Sequence, residues 1–390
     1  MQIPPRILSL ELPPFDPLNT RAAQLRASGH DVISLGQAVP FYPPPDSALK
    51  AAQAALARPD VHRYTTDPGR PQLRRVLAER LALTEGIECG PDDLLITAGA
   101  NHAFTTVLTT LVSAGDEIVL PAPYFTNHQM AIQAAGAVAI EAPVADRESY
   151  SVTWDDIAPA LTSRTRAVVL CNPSNPTGAP VNAAAGSRIV QELADRGLLL
   201  ISDETYMHFV YGDKHWSAAS GATWRRNVVV IGTFSKSFAM MGWRVGYMLA
   251  DAGICAQATK VQDAMIICAP TISQMAAEAA VRDDWDYPRT FHAELLDRRR
   301  RLSEALAQIP TLSWVPTAGG FFAFVRIDGC TDSNELALRL LEETHVVTIP
   351  GSSFGRNGEG CLRLSYGSVH AEALGTAIGR LAEFVHRIAR

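Results

Sequence analysis

The stretch Asn227-Val-Val-Val-Ile-Gly-Thr233-Phe-Ser-Lys236-Ser-Phe-Ala-Met-Met-Gly-Trp-Arg244-Val-Gly246 carries the strongest fold signal in this chain. It begins with a short run of β-branched and aliphatic residues, which is typical of a buried strand. A lysine among hydroxyl side chains follows directly, and an arginine stands eight residues after that lysine. In an open α/β sheet, ligands bind beyond the carboxyl ends of the strands. The stretch therefore predicts a strand that delivers Lys236 to a ligand site.

Two apolar segments upstream have the same design. Residues 166–173 lead into the turn-rich sequence that contains Asn175, and residues 197–203 end on Asp203, with Tyr206 three residues further. Helix-length segments separate the three runs, as in a parallel α/β sheet. We therefore expect Asn175, Asp203 and Lys236 to converge at one edge of that sheet.

The residue types at this edge suit pyridoxal phosphate. The amine of Lys236 can form a Schiff base with the aldehyde of the cofactor. Thr233, Ser235 and Arg244 offer two hydroxyls and one guanidinium group to a phosphate dianion. The alternative is a surface turn with an incidental arginine.

Asp203, Asn175 and Tyr206 suit the ring of the same cofactor. A carboxylate against the ring nitrogen raises the pKa of that nitrogen and keeps it protonated, so that the ring can accept electrons. An amide N–H and a phenol O–H can donate to the phenolate oxygen of the ring. Each residue also has an ordinary interpretation, because Asp203 could cap a helix, Asn175 could turn the chain and Tyr206 could be core.

The order of these motifs resembles the class I/II aminotransferases, which are fold-type-I pyridoxal phosphate enzymes, and within them the kynurenine/glutamine and aromatic transaminase-like subgroup. The motifs are Asn-Pro-Thr-Gly at 175–178, Asp-Glu-x-Tyr at 203–206, the lysine motif with x-Arg-x-Gly beyond it, and Leu-Arg-Leu-Ser at 362–365. The resemblance covers nearly the whole chain and implies an α/β fold. Residues 46–285 would form a large cofactor domain with a mostly parallel central sheet flanked by helices. Residues 1–45 and 286–390 would form a smaller α+β domain.

The resemblance also implies further residues around the cofactor. Gly99, Ala100 and Asn101 would cup the phosphate with the free N–H groups at the start of an apolar helix. Phe125 would stack on the cofactor face, although both Phe125 and its neighbour Tyr124 could be ordinary core. Tyr64 matches the tyrosine that reaches the phosphate of the neighbouring subunit, which implies a homodimer.

Three residues are predicted to contact the substrate. Arg363 lies in an apolar strand, where an unpaired charge is costly, and the resemblance implies that it clamps the substrate α-carboxylate near Asn175. An outward-facing strand residue is the alternative. Ala38 stands where the kynurenine/glutamine subgroup has a glycine close to that carboxylate, and Phe41 stands in place of an aspartate. This more apolar wall favours aromatic or otherwise bulky neutral amino acids.

The expected reaction moves the amino group of an L-amino acid to a 2-oxo acid, with Lys236 holding the cofactor and then removing the α-proton as a general base. Another outcome on the same scaffold, as in a pyridoxal phosphate-dependent lyase, oxidase or cyclase, stays open because of Ala38. A non-catalytic module, such as the aminotransferase-like half of a transcription regulator, would need an N-terminal helix-turn-helix domain. The enzyme-like pattern begins within about 30 residues and leaves no room for one.

Composition fits a globular enzyme of 390 residues with 47% hydrophobic and 19% charged residues. A net charge of −6 gives no general attraction to nucleic acid, and the run Arg298–Arg301 is predicted to be a solvated helix face. No apolar stretch reaches the roughly 18 residues of a spanning helix, and no zinc-like spacing occurs. The six cysteines lack paired spacing and the first residues lack a signal-peptide pattern, so we expect a cytoplasmic enzyme without a metal.

Overall fold

The computed structural model describes residues 2–10, 12 and 15–388. The remaining six residues fall within the predicted small-domain ranges and lie outside the described residues. The described strands are β1 (Ile33–Ser34), β2 (Leu94–Thr97), β3 (Glu117–Ala122), β4 (Val138–Pro143), β5 (Thr165–Cys171), β6 (Leu199–Asp203), β7 (Val228–Thr233), β8 (Gly246–Leu249), β9 (Leu312–Ser313), β10 (Phe322–Ile327), β11 (Val346–Val347), β12 (Ile349–Pro350) and β13 (Cys361–Ser365).

Helices separate most of these strands. The α-helices are α1 (Pro5–Leu8), α2 (Phe15–Ala27), α3 (Asp46–Ala55), α4 (Pro71–Arg80), α5 (Ala100–Leu111), α6 (Thr126–Ala134), α7 (Trp154–Ile157), α8 (Ala183–Asp195), α9 (Phe234–Ser237), α10 (Ala252–Ile266), α11 (Thr271–Asp283), α12 (His292–Leu306), α13 (Ser333–Thr344) and α14 (Ala371–Ile388). Short 3₁₀ segments and one π-helical turn at Leu81–Glu85 complete the regular structure.

A seven-stranded sheet with the order β2-β8-β7-β6-β5-β3-β4 positions the predicted site. Strands β3 to β7 pair in parallel, whereas β8 runs antiparallel to both of its neighbours. The three strands predicted from the sequence, β5, β6 and β7, are adjacent, so their carboxyl ends lie side by side. The predicted α/β fold with a mostly parallel central sheet is confirmed.

Both faces of this sheet are buried, which explains why its strands are continuous apolar runs. Val168, Leu170 and Val230 belong to the core on one face, and Val169 and Val229 to the core on the other. This alternation follows from the two-residue repeat of a strand. A sheet covered on both faces holds the residues at its edge rigidly.

A second, antiparallel sheet with the order β12-β13-β10-β9 has its own core. Helix α14 contributes Leu374, Ile378, Leu381 and Val385 to that core at the three- and four-residue steps of an amphipathic helix. Arg363 lies in the middle of β13, where it pairs with Phe324 of β10 and Ile349 of β12.

Two local predictions were wrong. The proline run at 43–45 predicts a short entry segment and a helix cap at Asp46, but Pro45 occupies the capping position of α3, and the Asp46 carboxylate lies 3.7 Å from Lys50 Nζ instead. Arg298 is buried rather than solvated, since its guanidinium carbon lies 3.9 Å from the centre of the Phe41 ring. The helix face that bears Arg298 packs against the N-terminal segment, which the charge run alone did not indicate.

In the described part of the chain, no helix is both long and apolar enough to cross a membrane. The same residues contain no group of three or more histidine, cysteine or acidic side chains arranged to hold a metal ion.

Candidate active site

A cavity of about 480 Å³ opens at the carboxyl ends of β5, β6 and β7, facing the N-terminal segment and β13. It brings together nearly all of the predicted site residues, which come from elements far apart in the chain. Those that line it are Ala38, Ala100, Asn101, Phe125, Asn175, Asp203, Tyr206, Thr233, Ser235, Lys236, Arg244 and Arg363. Three predicted residues do not line the cavity: Phe41, Tyr64 and Gly99, which lies next to the Arg244 guanidinium.

Lys236 projects into the cavity from α9, the single helical turn that follows β7. Thr233 begins this turn by accepting a hydrogen bond from the N–H of Ser235. The Lys236 Nζ donates to the carbonyl oxygen of Ala38 at 2.7 Å. Burial lowers the pKa of Lys236 to about 8, and the charges of Arg363 and Arg244 act in the same direction. About a tenth of this amine is therefore neutral and nucleophilic at pH 7, which is far more than for a lysine with the ordinary pKa of about 10.4.

This pKa predicts how cofactor uptake depends on pH. Only the neutral amine attacks an aldehyde, so the rate at which cofactor-free protein takes up pyridoxal phosphate should rise with pH and level off above about 8. An ordinary lysine would level off near 10.4. Stopped-flow absorbance between pH 6 and pH 10 measures this rate, and a curve still rising steeply at pH 10 would contradict the prediction.

Asp203 ends β6 with both carboxylate oxygens engaged. Oδ2 lies 2.9 Å from Nε2 of His128, and Oδ1 accepts the N–H of Thr205 at 3.0 Å. Burial alone would raise the pKa of Asp203, but the hydrogen bond and charge of His128, together with Thr205, hold that pKa below its usual value. Asp203 does not cap a helix, and it presents a fixed negative charge to the cavity.

Arg363 is a buried cation whose partners are neutral. Its Nη1 donates to Oδ1 of Asn175 at 2.8 Å, and its Nη2 donates to the carbonyl oxygen of Gly36 at 2.5 Å. Its Nε has no partner among the described residues. Burial lowers the pKa of Arg363 to about 10. A buried guanidinium without a carboxylate is costly, so this geometry suits an anionic ligand.

The residues predicted to bind the phosphate include a second cation, Arg244. Arg244 donates to the carbonyl oxygens of Met241 at 2.9 Å and Ala98 at 3.3 Å, and its backbone adopts the left-handed conformation with φ of 50°. Gly99 precedes α5 with φ of 89°, and a Cβ there would collide with the Arg244 guanidinium. Ala100 and Asn101 begin α5, where backbone N–H groups lack helical partners. Together these groups can hold a dianion.

Gly99 is therefore expected to be intolerant of a side chain. Gly99→Ala should weaken pyridoxal phosphate binding about tenfold or more, because it strains the backbone and displaces Arg244. Equilibrium dialysis measures the dissociation constant. Gly115→Ala is the matched control, since Gly115 has φ of 88° but open space where the Cβ would lie. An equal loss of affinity in both variants would contradict a specific role for Gly99.

The structure places the two candidate aromatic residues, Phe125 and Tyr124, in different surroundings. Phe125 lines the cavity and meets His128 edge-on, whereas Tyr124 is buried elsewhere and donates to Glu141 at 2.8 Å. Tyr206 both lines the cavity and packs on Phe322, so it belongs to the core and to the cavity wall at once, and its role toward the cofactor stays a prediction. Burial raises the pKa of Tyr206, which keeps its hydroxyl protonated.

Ala38, Phe41 and Tyr64 complete the set of predicted residues. Phe41, which was predicted to make the substrate wall more apolar, does not line the cavity, because its ring packs on Arg298 instead. Ala38 lines the cavity without the positive φ that would demand glycine, so its methyl group introduces no backbone strain. Tyr64 is 75% exposed and does not line the cavity of its own chain. Its assignment to a neighbouring subunit stays a prediction.

Sequence reasoning missed several residues at this site. His128, the partner of Asp203, is buried on α6, and its only sequence signal was a polar side chain three residues after Phe125. Gly36 supplies a carbonyl oxygen to Arg363, and Asp16 and Asn19 of α2 also line the cavity. No local pattern distinguishes these residues from ordinary surface positions.

The fold and the site define a pyridoxal phosphate enzyme of the aminotransferase type. Residues 30–381 match the family described as aminotransferase class I and II, and the chain belongs to that family. It is 34% identical to an aspartate aminotransferase of Pyrococcus abyssi, over 92% of each chain. It is 32% identical to aromatic-amino-acid aminotransferase 2 of Thermococcus litoralis, over 90% of each chain.

Solved structures agree. The structure of Thermus thermophilus aspartate aminotransferase with maleate aligns with a TM-score of 0.91 at 26% identity, covering 98% of this chain and 99% of that one. The predicted family and the predicted aminotransferase activity are confirmed, and these relatives do not favour the lyase, oxidase or cyclase alternative. The cofactor is pyridoxal phosphate, as the family requires. The buried amine of Lys236, the guanidinium of Arg244 and the carboxylate of Asp203 are groups that suit its aldehyde, its phosphate and its ring nitrogen.

Proposed function

We propose that this enzyme transaminates neutral L-amino acids, with aromatic or otherwise bulky side chains preferred, and uses a 2-oxo acid as acceptor. The observation that carries this proposal is the charge of the cavity wall. The described lining residues include three cations, Lys236, Arg244 and Arg363, and two carboxylates, Asp16 and Asp203. With Arg244 assigned to the phosphate and Arg363 to the α-carboxylate, no cation remains among them for a second substrate carboxylate.

The names of the relatives point in two directions. Some are named aspartate aminotransferases, and one is an aromatic-amino-acid aminotransferase. A dicarboxylate specialist needs a cation at the distal end of the substrate, whereas the described cavity places Asp16 and the apolar Phe15 and Val39 on its wall. Repulsion from Asp16 would disfavour aspartate and glutamate.

In the proposed roles, each group acts on a specific part of cofactor or substrate. Thr233, Ser235, Arg244 and the N–H groups that begin α5 hold the phosphate. Phe125 covers one face of the ring, and Asn175 and Tyr206 donate to its phenolate oxygen. When bound, pyridoxal phosphate supplies an electron sink for the carbanion at the substrate α-carbon.

Lys236 performs the proton transfers in this proposal. Its amine first binds the cofactor, then becomes free when substrate is bound, and takes the α-proton as a general base. Its lowered pKa supports this role, because the neutral form is needed to accept a proton. Arg363, whose Nε has no partner among the described residues, orients the substrate so that the α-proton faces the amine.

We also propose two domains, at residues 46–285 and at 1–45 with 286–390. The seven-stranded sheet lies within the first range and the four-stranded sheet within the second, which supports the division. A homodimer is proposed from the exposure of Tyr64, which would serve the neighbouring site. A cytoplasmic location is proposed because all six cysteines are free.

A half-reaction with a panel of donors tests the proposal. Holoenzyme is mixed with one amino acid and no acceptor, and the 2-oxo acid formed is counted per site. Phenylalanine and leucine should each give one equivalent at a rate at least about tenfold above that of aspartate, because a missing charge partner costs about 1.4 kcal/mol or more. Aspartate reacting faster than phenylalanine would overturn the proposed specificity.

A further inference from the structure

The N-terminal segment holds Lys236 at both its side chain and its backbone. The Lys236 Nζ donates to the carbonyl oxygen of Ala38. Four residues further along, the Tyr42 hydroxyl donates to the carbonyl oxygens of Lys236 at 3.0 Å and of Ser237 at 3.2 Å. We propose that the Tyr42 hydroxyl is a positioning group that fixes the turn bearing Lys236 and thereby sets the placement of its amine. This inference rests on the proposed role of Lys236.

The turn needs such a partner. Helix α9 comprises only Phe234–Ser237, so its last carbonyl groups have no continuing helix to bond. An unpaired buried carbonyl is costly. Tyr42 supplies the donor, and on the other side His208 Nδ1 lies 2.8 Å from the hydroxyl of Ser237. The catalytic turn is thus held by side chains from other elements rather than by its own helix.

The Tyr42 hydroxyl is itself fixed in place. The ring is buried and stacks on Phe291, with centroids 4.1 Å apart and planes 7° apart. It also meets Tyr287 edge-on at 5.6 Å. Burial raises the pKa of Tyr42, so the hydroxyl keeps its proton and remains a donor. Phe291 directly precedes α12, and this contact connects the lysine turn to the second core.

Loss of this donor has a defined electrostatic consequence. The Lys236 amine is held in a buried place near Arg363 and Arg244, and this environment lowers its pKa. A turn free to shift would let the amine move away from those charges and toward water. The pKa of the Lys236 nitrogen would then rise, and the amine would spend less time aligned with the α-proton of the substrate.

Tyr42→Phe tests the inference in the holoenzyme, because it removes the hydroxyl and keeps the ring. We expect kcat to fall about three- to tenfold with KM changed less than about twofold, as for loss of one hydrogen bond. We also expect the pKa read from the visible absorbance of the holoenzyme to rise by about half a unit or more. A purely structural role would lower thermal stability without moving that pKa.

Tyr287→Phe is the matched control, since it removes a hydroxyl of the same aromatic cluster that donates to Pro43 instead. It should leave kcat and the absorbance pKa unchanged. An unchanged pKa and kcat in Tyr42→Phe, or equal changes in both variants, would overturn the inference. Retained turnover in Lys236→Ala would overturn the proposed function itself. An inactive Lys236→Ala enzyme beside an unaltered Tyr42→Phe enzyme would overturn this inference alone.

Discussion

Replacing Lys236 with alanine will lower kcat about 10⁴-fold, which is the upper range for loss of a positioned acid-base group. The variant loses both the covalent attachment of pyridoxal phosphate and the group that takes the α-proton. The other groups that could hold the cofactor, including Arg244, Ser235 and Asp203, remain in the cavity wall. The variant should therefore still bind pyridoxal phosphate, with an absorbance like that of the free aldehyde. Steady-state turnover and the visible spectrum measure the two effects.

Lys260→Ala is the control for this experiment. Lys260 lies on α10 and donates to the neighbouring Gln257, away from the cavity. Its variant should keep full activity and the wild-type spectrum. Full turnover by Lys236→Ala would refute the assignment of Lys236 to the chemistry.

Replacing Asp203 with asparagine will lower kcat about 10²-fold. An opposite charge a few Å away shifts a pKa by one to three units, so its removal leaves the ring nitrogen of the cofactor largely unprotonated. Asparagine has nearly the shape of aspartate and can keep the N–H of Thr205 as a donor partner. The change therefore tests charge rather than packing. Activity should be compared across pH, because acid partly restores the protonated ring.

Glu204→Gln supplies the matched control for Asp203→Asn. Glu204 is the next residue and is also buried, but it accepts hydrogen bonds from Ser202, His215, Ser217 and Ala218 away from the cavity. Glu204→Gln should lower the melting temperature by a few degrees, which corresponds to a loss of about 1 kcal/mol or more in the free energy of unfolding. It should leave kcat unchanged. Equal losses of kcat in the two variants would show that Asp203 acts through stability alone.

The parts of the site that the sequence predicts are those that follow a strand. Asp203 and Lys236 come directly after buried apolar runs, and Asn175 follows one across a short turn, so the rule for parallel sheets brings them together. The same reasoning requires no knowledge of distant packing.

The parts that the sequence did not reveal depend on distant contacts. His128 meets Asp203 across 75 positions of the chain, and Tyr42 meets Lys236 across 194. Arg298 was assigned to solvent because a charge run usually faces water, yet α12 packs that one arginine on Phe41. No periodicity or propensity encodes which helix face meets which loop.

The attachment site of the cofactor is the most direct test of the whole account. Purified holoenzyme is reduced with borohydride, digested, and mapped by mass spectrometry for the pyridoxyl phosphate adduct. The account predicts the adduct on Lys236 and on none of Lys50, Lys214 or Lys260. An adduct on another lysine, or a fully active enzyme that yields no adduct, would contradict it.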